Sequence, residues 1–188
     1  MAKNKTEKEK TKRSWDVFDF AELFFICAAF VILVFSLCVR VTTVDGSSME
    51  NTLQDKDYLL VQVAFYEPER GDIVVINDFS KDDISTVYAK PLVKRIIAVE
   101  GDTVEIRGGV LYLNGSVSSE DYIKETMWPS DMPLTKIDEG NIFVMGDNRN
   151  HSGDSRIFGQ VDERCIVGKA FARVFPFDSI SFLSNPNK

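Results

Sequence analysis

The clearest hydrophobic pattern in the chain is an apolar run of 17 residues, from Leu23 to Val39, that contains no charged side chain. As an α-helix this run would be about 26 Å long, close to the ~30 Å hydrocarbon thickness of a bilayer. No polar face interrupts the run, which disfavours a buried helix in a soluble core. The pattern therefore predicts a transmembrane anchor, with bounds at residues 20–40.

The charges on either side of this run predict its orientation. Only Arg40 follows the run closely, whereas six basic residues precede it: Lys3, Lys5, Lys8, Lys10, Lys12 and Arg13. The positive-inside rule then places a tail of residues 1–19 in the cytoplasm and residues 41–188 outside. The first dozen residues are rich in Lys and Glu, so we expect them to be disordered.

A cleaved signal peptide is the alternative interpretation of this segment. The apolar core of a signal peptide is usually ~7–15 residues long and ends at a small-residue cleavage site. Here the run is longer, and no Ala-x-Ala sequence follows it. We therefore expect an anchor that stays attached to a single-pass protein of the cell membrane.

Beyond the anchor the hydrophobic pattern becomes typical of strands. Short apolar or β-branched runs lie between Gly, Asn and Asp turn residues, and the Gly108-Gly109 pair predicts a hairpin. No long helical pattern stands out, so the predicted fold class is mainly β, an antiparallel sheet domain that follows one transmembrane helix. The predicted strands cover 58–63, 73–76, 102–107, 110–113, 142–145 and 166–174.

Residues 116–140 interrupt the regular spacing of strands. They contain Trp128-Pro129, Met132-Pro133 and several acidic residues. We interpret this segment as a loop or small subdomain inserted in the β-rich domain. About 148 residues lie outside the anchor, which is enough for one domain with its own core.

Charge and cysteine content narrow the function classes. Residues 1–40 carry seven basic and five acidic side chains, so residues 41–188 have a formal charge of −9 within the total of −7. An acidic outer domain disfavours nucleic acid as a partner. Cys27, Cys38 and Cys165 offer neither a disulfide framework nor the spacing of a metal site. We predict no metal and no cofactor.

Candidate chemistry comes from a serine, a lysine and a histidine. A serine hydroxyl needs a base before it becomes a good nucleophile. His151 is the single histidine, but it lies in an Asn-, Gly- and Asp-rich stretch typical of an exposed loop. On a strand, Lys94 shares a face with Leu92, Ile96 and Ala98. Apolar surroundings favour a neutral amine that can accept a proton. A lysine on an edge strand would instead keep its ammonium group in water.

Three segments carry a resemblance to a known family. They are VDGSSMENTL at 44–53, PLVKRIIAV at 91–99 and GDNRNHSGDSRIFGQV at 146–161. Their order after a membrane-spanning run resembles the bacterial type I signal peptidases, which are serine proteases with a lysine base. The resemblance extends from about Trp15 to Val174. It implies cleavage of signal peptides from secreted preproteins, with small side chains at the first and third positions before the cut.

The resemblance also implies roles for individual residues. Ser48, immediately before Met49, would be the nucleophile, with its own backbone N–H as an oxyanion donor, and Lys94 would be the general base. Ser152 would orient the Lys94 amine. The expected supporting residues are Met49, Asp147, Asp154 and Arg156, of which the last two would pair and hold their loop. Membrane lipid and signal peptides are the implied partners.

Two positions depart from the family pattern. Gly46 stands where some relatives have a serine whose hydroxyl is a second oxyanion donor, and Asn51 stands where a proline is common. The same dyad also resembles that of self-cleaving SOS repressors, but those carry a DNA-binding domain. A catalytically silent assembly module would lack Ser48 or Lys94. Processing of a narrow set of surface proteins stays open as an alternative to general secretory cargo.

Overall fold

The computed structural model describes residues 16–77 and 91–187. The basic residues of the tail and its expected disorder lie outside the described residues, as does Trp15.

Helix α1 extends from Val17 to Cys38, and it contains 22 residues. Its N-terminus is capped by Asp16, whose Oδ1 accepts hydrogen bonds from the backbone N–H groups of Phe18 and Asp19. None of its side chains is buried. Among the described residues it is the one helix that is long and apolar enough to cross a membrane. It ends before the predicted bound of residue 40, because Val39 and Arg40 already pair in a sheet.

The remainder of the described chain consists mainly of short strands. The only other α-helix described is the single turn α2, Ser155–Phe158, and 3₁₀ turns occur at Arg149–His151, Glu163–Cys165 and Phe177–Ser179. The strands are β1 Val39–Thr43, β2 Tyr58–Gln62, β3 Ile73–Ile76, β4 Leu92–Ala98, β5 Thr103–Arg107, β6 Val110–Leu113, β7 Ser116–Val117, β8 Met132–Lys136, β9 Asn141–Met145, β10 Val161–Asp162, β11 Ile166–Phe175 and β12 Ser181–Phe182.

These strands form two antiparallel sheets. The larger sheet has the order β1-β2-β11-β3-β4-β9-β10, with β12 also paired to β11, and the smaller one has the order β7-β6-β5-β8. The hairpin between β5 and β6 turns at Gly108 and Gly109, which both have positive φ. The predicted fold class, mainly antiparallel β after one apolar helix, is confirmed.

The segment 116–140 contributes two strands, β7 and β8, to the smaller sheet. Strand β8 contains Pro133 and lies at the edge of this sheet, where a residue without an N–H donor is tolerated. Residues 118–131 between these strands are largely irregular.

Strand β4 lies near the middle of the larger sheet, between β3 and β9. Its residues from Val93 to Ala98 are all buried. Lys94 is the register partner of Val74, so these two side chains lie on the same face. A bulge between Ile96 and Ala98 shifts the pairing with β9, so the predicted alternation does not extend to Ala98.

Candidate active site

Ser48 lies on a tight turn that follows β1. The turn is closed by hydrogen bonds from Glu50 N–H to the Ser47 carbonyl, at 3.1 Å, and from Leu53 N–H to the Met49 carbonyl, at 2.9 Å. Met49 and Leu53 are completely buried in an apolar cluster with side chains from the larger sheet. Burial of a side chain of this size stabilises the folded state by roughly 1.5–3 kcal/mol. Met49 therefore anchors the turn and fixes the position of the adjacent Ser48.

The side chain of Lys94 reaches this turn from β4. Its Nζ lies 2.6 Å from Ser48 Oγ, and only 2% of the residue is exposed. Burial lowers the pKa of Lys94 from 10.5 to about 8; Asp154 and Asp147 oppose this shift, while Arg156 adds to it. Among the described residues no carboxylate forms an ion pair with this amine. The arrangement allows a neutral amine to accept the proton of the Ser48 hydroxyl.

Gly146 lies between the turn of Ser48 and the loop after β9. It follows Met145, the register partner of Arg95, so it comes level with Lys94 across the β4–β9 pair. A Cβ atom at Gly146 would lie 2.3 Å from the Ser48 carbonyl oxygen and 2.4 Å from Ser152 Oγ. The absence of a side chain here lets the turn of Ser48 and the loop after β9 approach each other.

Asp147 is fixed in the interior by three side-chain hydrogen bonds. Arg95 donates to it twice, from Nε at 2.8 Å and from an Nη at 2.6 Å, and the Thr52 hydroxyl donates at 2.5 Å. Asp147 is fully buried and Arg95 is 2% exposed, so the two opposite charges compensate each other away from solvent. This pair connects β4, the turn of Ser48 and the loop after β9.

Asp154 organises the second half of the same loop. It caps α2 and accepts hydrogen bonds from Gly146 N–H at 3.1 Å and from two nitrogens of the Arg156 guanidinium at 2.8 Å. Arg156 in turn donates to the Arg149 carbonyl at 2.6 Å. Asp154 is fully buried. The hydrogen bonds of Asp154 to Gly146 and Arg156 therefore fix the path of the backbone from Gly146 to α2.

Ser152 and His151 follow Asp147 in this loop. Ser152 Oγ is buried and has no hydrogen-bond partner among the described residues, so its expected bond to the Lys94 amine stays a prediction. The side chain of His151 is exposed and packs edge-on against the Trp128 indole, with ring centroids 5.8 Å apart. The histidine therefore lies in an exposed loop, whereas the side chain that contacts Ser48 Oγ is that of Lys94.

Comparison with known proteins identifies the family. The family described as signal peptidase, peptidase S26, matches residues 17–175, which is most of the chain. The chain belongs to the signal peptidase family. It is therefore a peptidase, and all of the site residues described above lie within the matched range.

Two relatives agree with this membership in sequence. Signal peptidase IB of Staphylococcus aureus is 37% identical over 183 residues, which cover 86% of this chain and 92% of the relative. A Synechocystis protein described as "Probable signal peptidase I-1" is 35% identical and covers 78% of this chain and 79% of its own length. The crystal structure of signal peptidase I from Enterococcus faecalis V583 is 32% identical, with a TM-score of 0.46, and covers 56% of this chain and 98% of its own.

The two positions that depart from the family pattern, Gly46 and Asn51, both have positive φ. Asn51 has φ of +91°, a conformation that proline with its fixed negative φ does not adopt. Its side-chain amide donates to the Tyr122 carbonyl at 3.1 Å. Gly46 donates its N–H to Asp55 Oδ1 at 2.7 Å, so this N–H is already engaged. Asn51 thus ties the turn of Ser48 to residues 118–131.

Sequence reasoning did not single out the partners that hold the site together. The Arg95 guanidinium lies 4.1 Å from the centre of the Tyr122 ring, and Arg149 pairs with Glu120 at 2.5 Å while almost completely buried. An arginine inside the apolar run of β4 was the one signal that a buried acidic partner existed. Nothing in the irregular segment around Tyr122 identified the ring that covers Arg95.

Gly146→Ala is expected to impair catalysis more than stability. The new Cβ would collide with the Ser48 carbonyl and Ser152 Oγ, so the turn of Ser48 must move, and kcat should fall by at least about tenfold because small misplacements are costly at reacting atoms. Turnover of purified, folded enzyme on a peptide substrate measures this effect.

Gly168→Ala is the matched control, because a Cβ there would lie 2.1 Å from the Gln62 carbonyl, within the β11–β2 pair. It should lower the thermal unfolding temperature but leave kcat per folded molecule nearly unchanged. Equal loss of kcat in the two variants would show that the effect of Gly146→Ala is general and not specific to the site.

Proposed function

We propose that this chain is a membrane-anchored serine endopeptidase that removes N-terminal signal peptides from secreted preproteins, with Ser48 as nucleophile and Lys94 as general base. The observation that carries the proposal is the 2.6 Å contact between Ser48 Oγ and the buried Lys94 amine. Membership of the signal peptidase family supports signal-peptide-bearing preproteins as the substrate class. An apolar helix ahead of the site supports the membrane location.

In the first half of the reaction, the neutral Lys94 amine accepts the Ser48 hydroxyl proton as Oγ attacks the scissile carbonyl. Negative charge develops on the carbonyl oxygen, and the Ser48 backbone N–H is the donor that we assign to it. The resulting ammonium of Lys94 then protonates the leaving amine, which departs with the mature protein. Ser48 is left as an acyl ester of the signal peptide.

In the second half, Lys94 is again neutral and accepts a proton from an attacking water molecule. The ester is hydrolysed, and the Ser48 hydroxyl regains its proton from Lys94. Desolvation serves both halves, because it keeps a substantial fraction of the amine neutral near pH 8.

The supporting residues position the reacting groups and take no part in making or breaking bonds. Met49 anchors the turn in the core, Asp147 is held by Arg95, and Asp154 with Arg156 fixes the loop that follows β9. Ser152 is assigned to orient the Lys94 amine during the reaction, which would give its buried hydroxyl the partner that it lacks here. Small side chains, chiefly Ala, are the expected residues at the first and third positions before the cut.

Contacts at the start of the β-rich domain support membrane lipid as a proposed partner. Strand β1 begins directly after α1, and Val63 N–H donates to the Cys38 carbonyl at 2.8 Å. The start of the loop after β2 therefore lies beside Cys38. Phe65 in this loop is 98% exposed, and an exposed phenyl ring is suited to the boundary of the bilayer.

Ser48→Ala and Lys94→Ala should each lower kcat/KM by more than about 10³-fold, because neither member of the pair works without the other. The measurement is cleavage of a preprotein by the purified full-length variants. His151→Ala is the control, and it should cleave at nearly the original rate. A His151→Ala variant as inactive as Ser48→Ala would instead support a histidine base.

The pH dependence of the reaction should report Lys94. Because only the neutral amine accepts a proton and its pKa is about 8, kcat/KM should rise about tenfold per pH unit below that value and level off above about pH 9. The profile should be the same in His151→Ala. An acidic limb that disappears in His151→Ala would contradict this assignment.

Phe65→Asp should reduce cleavage of a preprotein in vesicles several-fold, because a carboxylate at the bilayer boundary opposes close approach to the lipid. Cleavage of a soluble peptide in detergent should stay unchanged. Leu134→Asp is the matched control, since Leu134 is 62% exposed but belongs to the smaller sheet. An equal effect of both substitutions in vesicles would remove the special role of Phe65.

A further inference from the structure

The peptide bond between Ser47 and Ser48 carries the N–H that the proposed mechanism assigns to the oxyanion. In a trans peptide unit the carbonyl and the N–H point in opposite directions and share one plane. The group that holds the Ser47 carbonyl therefore also sets the direction of the Ser48 N–H. The following inference rests on the proposed function, because it takes Ser48 as the nucleophile.

Asn148 holds the carbonyl groups on both sides of the Ser48 Cα atom. Its side-chain Nδ2 donates to the Ser47 oxygen at 3.0 Å, and its backbone N–H donates to the Ser48 oxygen, also at 3.0 Å. The Ser47 oxygen accepts a second hydrogen bond from Glu50 N–H at 3.1 Å. Nδ2 also lies 3.5 Å from a Glu50 carboxylate oxygen. Asn148 is only 1% exposed, so water does not compete for these contacts.

The orientation of the Asn148 amide leaves one polar atom without a partner. Oδ1 is buried and accepts no hydrogen bond from the described residues. Rotating the amide by half a turn would place this oxygen against the Ser47 oxygen, and two acceptors would then face each other. The nitrogen therefore faces the Ser47 carbonyl even though an oxygen stays unsatisfied. Buried unsatisfied atoms are uncommon in proteins, and they occur where another requirement outweighs their cost.

The oxyanion hole of this chain depends on few donors. Gly46 has no side-chain hydroxyl, and its N–H is bonded to Asp55. The Ser48 N–H has no hydrogen-bond partner among the described residues, so it is available to a substrate. With one assigned donor, an error in the direction of that N–H is not compensated by a second group.

We propose that Asn148 is a positioning residue, which sets the direction of the Ser48 N–H for the oxyanion by holding the Ser47 carbonyl. The hydrogen bond from Nδ2 prevents rotation of the Ser47–Ser48 peptide plane. It also polarises that peptide, and the opposite N–H becomes a stronger donor. The effect is largest in the transition state, where the carbonyl oxygen of the substrate carries its charge.

Asn150 provides a matched control in the same loop. Its side-chain amide accepts from Trp128 N–H at 2.8 Å and donates to the Thr126 carbonyl at 3.1 Å, and no contact to Ser47 or Ser48 is formed. Asn150 therefore holds the loop to residues 118–131 without holding the Ser47–Ser48 peptide. The two asparagines separate a general structural role from a role toward the N–H.

The test compares Asn148→Leu with Asn150→Leu in the full-length enzyme in detergent, with a synthetic peptide that contains a cleavage site as substrate. Leucine has nearly the shape of asparagine but no donor. Asn148→Leu should lower kcat by about 10- to 100-fold, somewhat less than the complete loss of an oxyanion donor, and should change KM by less than about threefold. The acidic limb of the pH profile should stay near 8, because the amine of Lys94 is untouched. Asn150→Leu should keep its kcat.

Three results would overturn the inference: an unchanged kcat in Asn148→Leu, a loss confined to KM, or a shift of the acidic limb, which would place the effect on Lys94. If Asn148→Leu does not accumulate as folded protein, Asn148→Ala is measured by the same criteria, with thermal unfolding as the check on folding. Full activity of Ser48→Ala would instead refute the proposed function itself. An inactive Ser48→Ala together with a fully active Asn148→Leu would refute only the role of Asn148.

Discussion

Removal of water from the Lys94 amine is the constraint on which the rest of the site depends. Only 2% of Lys94 is exposed, so an ammonium at this position loses its hydration. This loss lowers the pKa of Lys94 to about 8. The same burial places the amine against Ser48 Oγ at 2.6 Å. Strand β4, which is buried on both faces, is therefore both a structural element of the sheet and the source of the proposed base. Most strands of this kind carry only apolar side chains.

The carboxylates around this amine are arranged so that, among the described residues, none of them forms an ion pair with it. Asp147 and Asp154 both favour the protonated amine, but each is engaged by an arginine, Arg95 and Arg156 respectively. A free carboxylate beside Lys94 would raise its pKa and keep it an ammonium. The arginines thus fix the loop after β9 and also limit the electrostatic effect of its two aspartates. A third buried pair, Arg149 with Glu120, attaches the same loop to residues 118–131.

Contacts from several sides hold the turn of Ser48 in one position. Met49 and Leu53 bury its apolar side, Thr52 reaches Asp147, Asn51 reaches the Tyr122 carbonyl, and Asn148 holds the two carbonyls. Preorganisation of this kind places the fixed dipoles before the reaction begins, so little energy is lost to reorganisation during the chemical step. It also explains how a chain without a side-chain hydroxyl at position 46 or a proline at position 51 can keep a defined turn.

The sequence by itself determined the features that depend on local pattern. The apolar run indicated α1, alternation and turn residues indicated β2, β3, β5, β6, β9 and β11, and the three segments indicated the family. Strand β1 was missed because Val39 continues the apolar run, and β8 because it contains Pro133. Strands β7, β10 and β12 were missed because each is only two residues long. Ser48 and Lys94 could be named from their motifs, but the distance between them could not be derived.

Only the tertiary structure decided how distant residues meet. Lys94 and Ser48 are 46 positions apart, and the contact between Asn148 and Ser47 spans 101 positions. The partners of Arg95 and Arg149, the stacking of Tyr122 and the engaged N–H of Gly46 depend on the same long-range packing. Strand periodicity fixes only which face a side chain occupies. Burial, and with it the lowered pKa of Lys94, is produced by the strands and loops that close over that face, which the local sequence does not specify.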